Sequence, residues 1–256
     1  MDTEDTSPRP LQQSVHPDFE SAVQTVAMEP HAPRLGIMHL IVWVTCVAVY
    51  FSFVRTIAQS GQDLFGSDSR VFPVLYGLGS GTALAGLTLL VSRRLRGFPL
   101  AKYPGEYLLL SSGVTMLFAT AVHVMFVFTQ GPLAEWLRLA VSMAFYIADG
   151  LVLLMATVRV KVRRWRVLFV TAIIMFTIQV LLPWTRLFGV DWVAIASSQL
   201  VSQSITGLLV VVVLADLSKR EQYPWQHWLG VGLWLWFGAV YFASYVYLSL
   251  TGVPRF

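Results

Sequence analysis

Seven runs of roughly twenty mostly apolar residues constrain this chain more than any other feature. They fall near 36–58, 71–92, 105–129, 136–158, 166–184, 191–215 and 227–250. Wound as α-helices at about 1.5 Å rise per residue, runs of this length match the hydrocarbon thickness of a bilayer. The gaps at 61–70, 93–104, 130–135, 159–166, 185–191 and 216–226 are short and carry glycine, proline and charge, which end helices rather than continue them. Composition agrees, since 56% of the 256 residues are hydrophobic and only 12% are charged, about half the charged share of an ordinary soluble domain. The expected fold is all-α, a polytopic membrane protein. A bundle of seven transmembrane helices over 35–251 follows a tail at 1–34 and precedes a short C-terminal end at 252–256.

The tail has a different chemistry. Its Pro, Ser, Gln and acidic residues bury too little apolar surface to offset the entropy of ordering, so a disordered segment is expected. Asp2, Glu4, Asp5, Asp18, Glu20 and Glu29 stand against Arg9 and Arg34, a net charge of −4 in a chain of +4 overall. No basic start leads into an apolar core with a small-residue cleavage site, which argues against a removed signal peptide. Phe19, Ala22, Val23, Val26 and Ala27 share helical spacing and offer a contact for a protein partner or a lipid surface. A solvated tail with scattered apolar residues is the plainer expectation.

Short-loop cations set the orientation of a membrane chain. With the tail in the cytoplasm, the inner side holds 13 of the 18 Lys and Arg residues: Arg9, Arg34, Arg93, Arg94, Arg96, Lys102, Arg159, Lys161, Arg163, Arg164, Arg166, Lys219 and Arg220. The outer side holds Arg55, Arg70, Arg138, Arg186 and Arg255. The expected topology is N-terminus cytoplasmic and C-terminus outside. Trp136, Trp165, Trp184, Trp192, Trp225 and Trp228 fall at run ends, at the headgroup level that indoles favour. Cations placed this way explain the basic balance without nucleic acid, and the inner clusters additionally suit anionic lipid.

Polar residues inside the runs are the candidate functional groups, because a polar group in lipid needs a partner or water. Asp149 is the carboxylate nearest the centre of any run. It offers either a proton-exchanging group for a transporter or one interhelical hydrogen bond. Ser198, Gln199, Ser202, Gln203 and Thr206 recur at three- and four-residue spacing and share one face of the sixth run. Counting from the run ends places Gln203 at the depth of Asp149, so a hydrogen bond between them is expected. His123 lies on a face with Ser112, Thr115 and Ala119, at the depth of Gln179 and Gln199. It is a proton carrier or, more simply, a histidine bonded to a glutamine. Gly77, Gly81 and Ala85, interleaved with Gly79 and Ala83, predict close helix approach in the second run. Trp234, Gly238, Tyr241 and Tyr245 form an aromatic face in the seventh.

Several chemistries lack their residues. Lys102, Lys161 and Lys219 all lie in loops, so no span holds a lysine for a retinal Schiff base. The histidines are His16, His31, His39, His123 and His227, with His123 alone at depth, too few there for a three-histidine zinc site or a bis-histidine haem. Cys46 stands alone, which excludes an intrachain disulfide. The run Gly77, Leu78, Gly79, Ser80, Gly81 has leucine where an intramembrane serine protease has the first glycine of its Gly-x-Ser-Gly motif. No catalytic, cofactor or metal residue is assigned. The sequence favours a non-enzymatic scaffold or sensor-like membrane subunit. The alternative is a small proton-linked transporter whose polar pathway surrounds Asp149 with Gln203, Gln199, Ser202, His123 and Gln179.

Overall fold

The computed structural model describes residues 36–59, 71–128, 132–185, 191–219 and 222–251. Among them the fold is all-helical, with seven helices: α1 (Ile37–Gln59), α2 (Val71–Leu95), α3 (Pro104–Phe128), α4 (Pro132–Arg159), α5 (Arg163–Thr185), α6 (Asp191–Ser218) and α7 (Trp225–Thr251). The tail at 1–34 lies outside the described residues.

Each helix follows its apolar run and most overshoot it into charged sequence. α2 continues through Arg93 and Arg94, and α6 through Asp216. The apolar count stops at the first charge, whereas backbone hydrogen bonding continues wherever that charge finds a partner. Pro104 and Pro132 open α3 and α4 at the first helical position, where the missing N–H costs nothing. α2 closes on Gly97 at φ 88°, the left-handed conformation that glycine adopts without a Cβ clash. There the Phe98 N–H donates to Arg93 O at 3.2 Å and the Gly97 N–H to Arg94 O at 3.0 Å, a Schellman cap.

Packing follows the small residues. α2 meets α1, α3 and α7, and α3 meets α2, α4 and α7. A Cβ on Gly81 would come within 2.6 Å of the Val47 backbone, so α1 and α2 approach as closely as the glycine pattern predicts. The tightest crossing is between α3 and α7. A Cβ on Gly230 would lie 1.8 Å from Gly105 O, and one on Gly105 would lie 2.0 Å from His227 O. One buried cluster joins Leu108, Leu153, Trp165, Phe169 and Leu209, and another joins Ala83, Leu90, Leu109 and Leu233.

Indole N–H groups tie neighbouring helices together. Trp43 donates to Thr82 Oγ1 at 2.8 Å, Trp234 to Leu108 O at 3.1 Å and Trp236 to Leu75 O at 3.0 Å. Hydroxyls turn inward along their own helices, as in Thr88 to Leu84 O, Ser112 to Leu108 O and Thr157 to Leu153 O. That arrangement satisfies a polar group where lipid offers no partner.

The outer surface is apolar. Ile37 is 78% exposed, and Leu40, Val49, Leu151, Val158 and Val211 on three different helices are also exposed, as expected of helices whose outer faces meet lipid. Among the described residues, four helices contain stretches long and apolar enough to cross a membrane: Ile37–Arg55, Val71–Leu95, Pro104–Val122 and Trp225–Tyr247. In α6 the stretch Gln203–Ser218 is apolar but shorter.

Candidate functional site at the basic end of the helices

Buried charges gather at one end of the helices. Glu106, the third residue of α3, is fully buried. Its Oε1 accepts from Arg93 Nη1 at 2.6 Å, and its Oε2 accepts the N–H groups of Lys102 at 2.6 Å and Tyr103 at 3.2 Å. The carboxylate thus caps the helix that carries it and neutralises a cation from the end of α2. Asp216, in the last turn of α6, is buried as well. It accepts from Arg164 Nε and, at 2.7 Å, from Trp165 Nε1, both at the start of α5.

His227 joins these two corners. Its Nδ1 accepts the Gly105 N–H at 2.9 Å, which fixes the proton of a neutral ring on Nε2. The ring stacks on Tyr223 with centroids 4.0 Å apart and meets the Trp165 ring edge-on at 5.3 Å. Nearby, Arg166 donates to Val160 O just past the end of α4, and the His39 ring near the start of α1 lies 6.1 Å from that of Trp225. One terminus of every helix therefore belongs to this end, and consecutive helices run in opposite directions. Arg93, Arg94, Arg159, Arg163, Arg164 and Lys219 all lie here, so these six of the residues that the charge count assigns to one side of a membrane are together in space.

Deeper in the bundle, Asp149 is buried on α4 and accepts from Ser111 Oγ of α3 at 2.5 Å. The expected hydrogen bond to Gln203 does not form, and the buried Gln203 Nε2 has no hydrogen-bond partner among the described residues. The physical reason is neighbour order. α4 packs on α3 and α5, while Gln203 sits on α6, which packs on α5 and α7. Equal depth put the two residues level without making their helices adjacent. The side chains of His123, Gln179, Gln199 and Ser202 lie outside the described residues.

Trp165 departs from its expected place. It is fully buried and spends its N–H on Asp216, so it serves as an internal tie instead of an indole facing the headgroups. Glu106, Asp216 and His227 were not singled out by the sequence, although two of them carry a local signal. Tyr103-Pro104-Gly105-Glu106 reads as a proline-opened helix with an acidic third residue. Asp216 stands near a helix C-terminus, where the dipole disfavours an anion and a cation must compensate. Nothing local marks His227.

Four apolar helices of membrane length among the described residues, with large hydrophobic side chains exposed on the outside, mark a membrane-embedded helical protein. No family model matches the chain, and no curated protein or solved structure matches it either.

Proposed function

We propose that this chain is a seven-span integral membrane protein acting as a scaffold or sensor-like subunit, with its basic end and acidic tail in the cytoplasm. The observation that carries this reading is the layer of ties at the basic end. Glu106, Asp216 and His227 each bond across helices, and Arg93 and Arg164 neutralise the two carboxylates. Such a layer holds the inner ends of the helices in fixed relation and presents the remaining loop cations on one surface. α4, α5 and α6 complete the seven spans in this reading, since each alternates in direction with its neighbours and, Asp149 on α4 apart, has its charged residues toward the ends. The positive-inside rule orients the protein.

The transporter reading needs a polar pathway around Asp149. The bond to Ser111 gives that carboxyl a structural partner, the commonest role of a polar contact between membrane helices. Proteoliposomes with an internal pH dye provide the test. The scaffold reading expects the same proton flux from the wild type and from Asp149→Asn under an imposed gradient. A flux present in the wild type and lost in Asp149→Asn would install the transporter in its place.

A further inference from the structure

The loop cations of the basic end are not equivalent. Arg164 is committed to Asp216, and Arg166 holds Val160 O with both Nε at 3.3 Å and Nη2 at 3.2 Å. Arg163 and Lys219 are exposed and take part in no salt bridge among the described residues. Both line a groove of ≈ 630 Å³ between the first turns of α5 and the last turns of α6. Arg164, held by Asp216, also borders it, and the rest of its wall is apolar, with Val167 on α5 and Leu208, Val211 and Val212 on α6. The groove thus has two chemical ends: an apolar trough along the bundle surface, with Val211 61% exposed, and two uncommitted cations at the level of the helix termini. The α5 N-terminus and the α6 C-terminus both lie at that mouth, so their dipoles oppose one another there and the two cations supply the attraction for an anion.

We propose that this α5–α6 groove binds one anionic glycerophospholipid, its phosphate held between Arg163 and Lys219 and one acyl chain lying against Val167, Leu208 and Val211. Charge complementarity selects the headgroup, and the trough selects a ligand with a hydrocarbon chain over a free anion. The proposal deepens the membrane-scaffold reading and rests on it in one respect, that the basic end lies at a membrane surface. An anchored lipid at this point would fasten the α5–α6 corner to the leaflet and make the subunit responsive to leaflet charge.

The test uses the full chain in nanodiscs of phosphatidylcholine and phosphatidylglycerol at three to one, released gently for native mass spectrometry. The wild type should retain one phosphatidylglycerol per chain. Arg163→Gln with Lys219→Gln should lower retention by an order of magnitude or more, since a basic residue at an anionic surface contributes about fivefold. Val211→Trp, which fills the trough and leaves both cations in place, should lower retention too. Arg94→Gln with Arg96→Gln removes two cations from the same end away from the groove and should change little. Unaltered retention in both groove variants would overturn the proposal. So would equal loss in the Arg94/Arg96 control, displacement of the lipid by inorganic phosphate alone, or a lipid-free dimer that Val211→Trp dissociates. Carbonate extraction separates the two readings: a chain that leaves the membrane fraction refutes the scaffold itself, whereas an embedded chain with indifferent lipid retention refutes only the groove.

Discussion

At the α2–α3 corner and the α5–α6 corner, a buried carboxylate meets an arginine, and the two pairs sit in opposite electrostatic settings. Glu106 lies in the first turn of α3 and Arg93 in the last turn of α2, so each charge also lies at the helix end whose dipole favours it. Arg164 lies in the first turn of α5 and Asp216 in the last turn of α6, and each is at the end whose dipole opposes it. The first pair is assisted by its own backbone, with two N–H groups on the carboxylate. The second depends on its members and on the Trp165 indole. Two contacts that look alike in a catalogue of ion pairs therefore differ in how much is lost when one partner goes.

The largest expected effect lies beside the assisted corner and marks where its robustness ends. Gly230→Leu cannot be absorbed by a rotamer change, because its Cβ would meet the Gly105 carbonyl oxygen in the backbone of α3. We expect α3 and α7 to separate, with no stable monodisperse protein by size-exclusion chromatography in detergent. Arg164→Ala comes next. It leaves a buried carboxylate at a helix C-terminus without its cation, and the cost should be about 3–5 kcal/mol, read from unfolding in mixed micelles. Arg93→Ala should cost less, about 2 kcal/mol, because Glu106 keeps its two backbone donors and the favourable end of α3. Equal losses at the two corners would remove the distinction drawn between them.

A pair of compensating changes sharpens the same contrast. Arg164→Met combined with Asp216→Asn removes both charges and keeps an oxygen for the Trp165 N–H, so it should recover more than half of the stability lost in Arg164→Ala. Smallest is Ser111→Ala, which takes the Ser111 hydroxyl from Asp149 and should cost about 1 kcal/mol, within the range of polar contacts between membrane helices.

The helices were legible in the sequence because lipid imposes one rule on every span. A run such as 71–92 must be apolar and backbone-satisfied, and α2 occupies Val71–Leu95. Its close packing was legible for a related reason, since Gly81 permits an approach that a Cβ would block. The polar partners were not. Asp149 was matched by depth to Gln203, but which helix stands beside α4 is decided by the packing of the whole bundle, and that neighbour is α3 with Ser111. Arg164 and Asp216 are 52 residues apart in sequence, and nothing in either local pattern specifies the other. The five cations between 159 and 166 read as one basic cluster in sequence. In space, Arg164 and Arg166 are structural ties and Arg163 faces a groove.

The proposed orientation puts the basic helix ends in one layer facing the cytoplasm. In a Cys46→Ala background, single cysteines at Phe98, Lys161 and Ser218, at the basic ends of α2, α4 and α6, can be challenged with a membrane-impermeant maleimide. In that orientation all three stay unlabelled in intact cells and react together once the membrane is permeabilised. Labelling of any one of them in intact cells would contradict it.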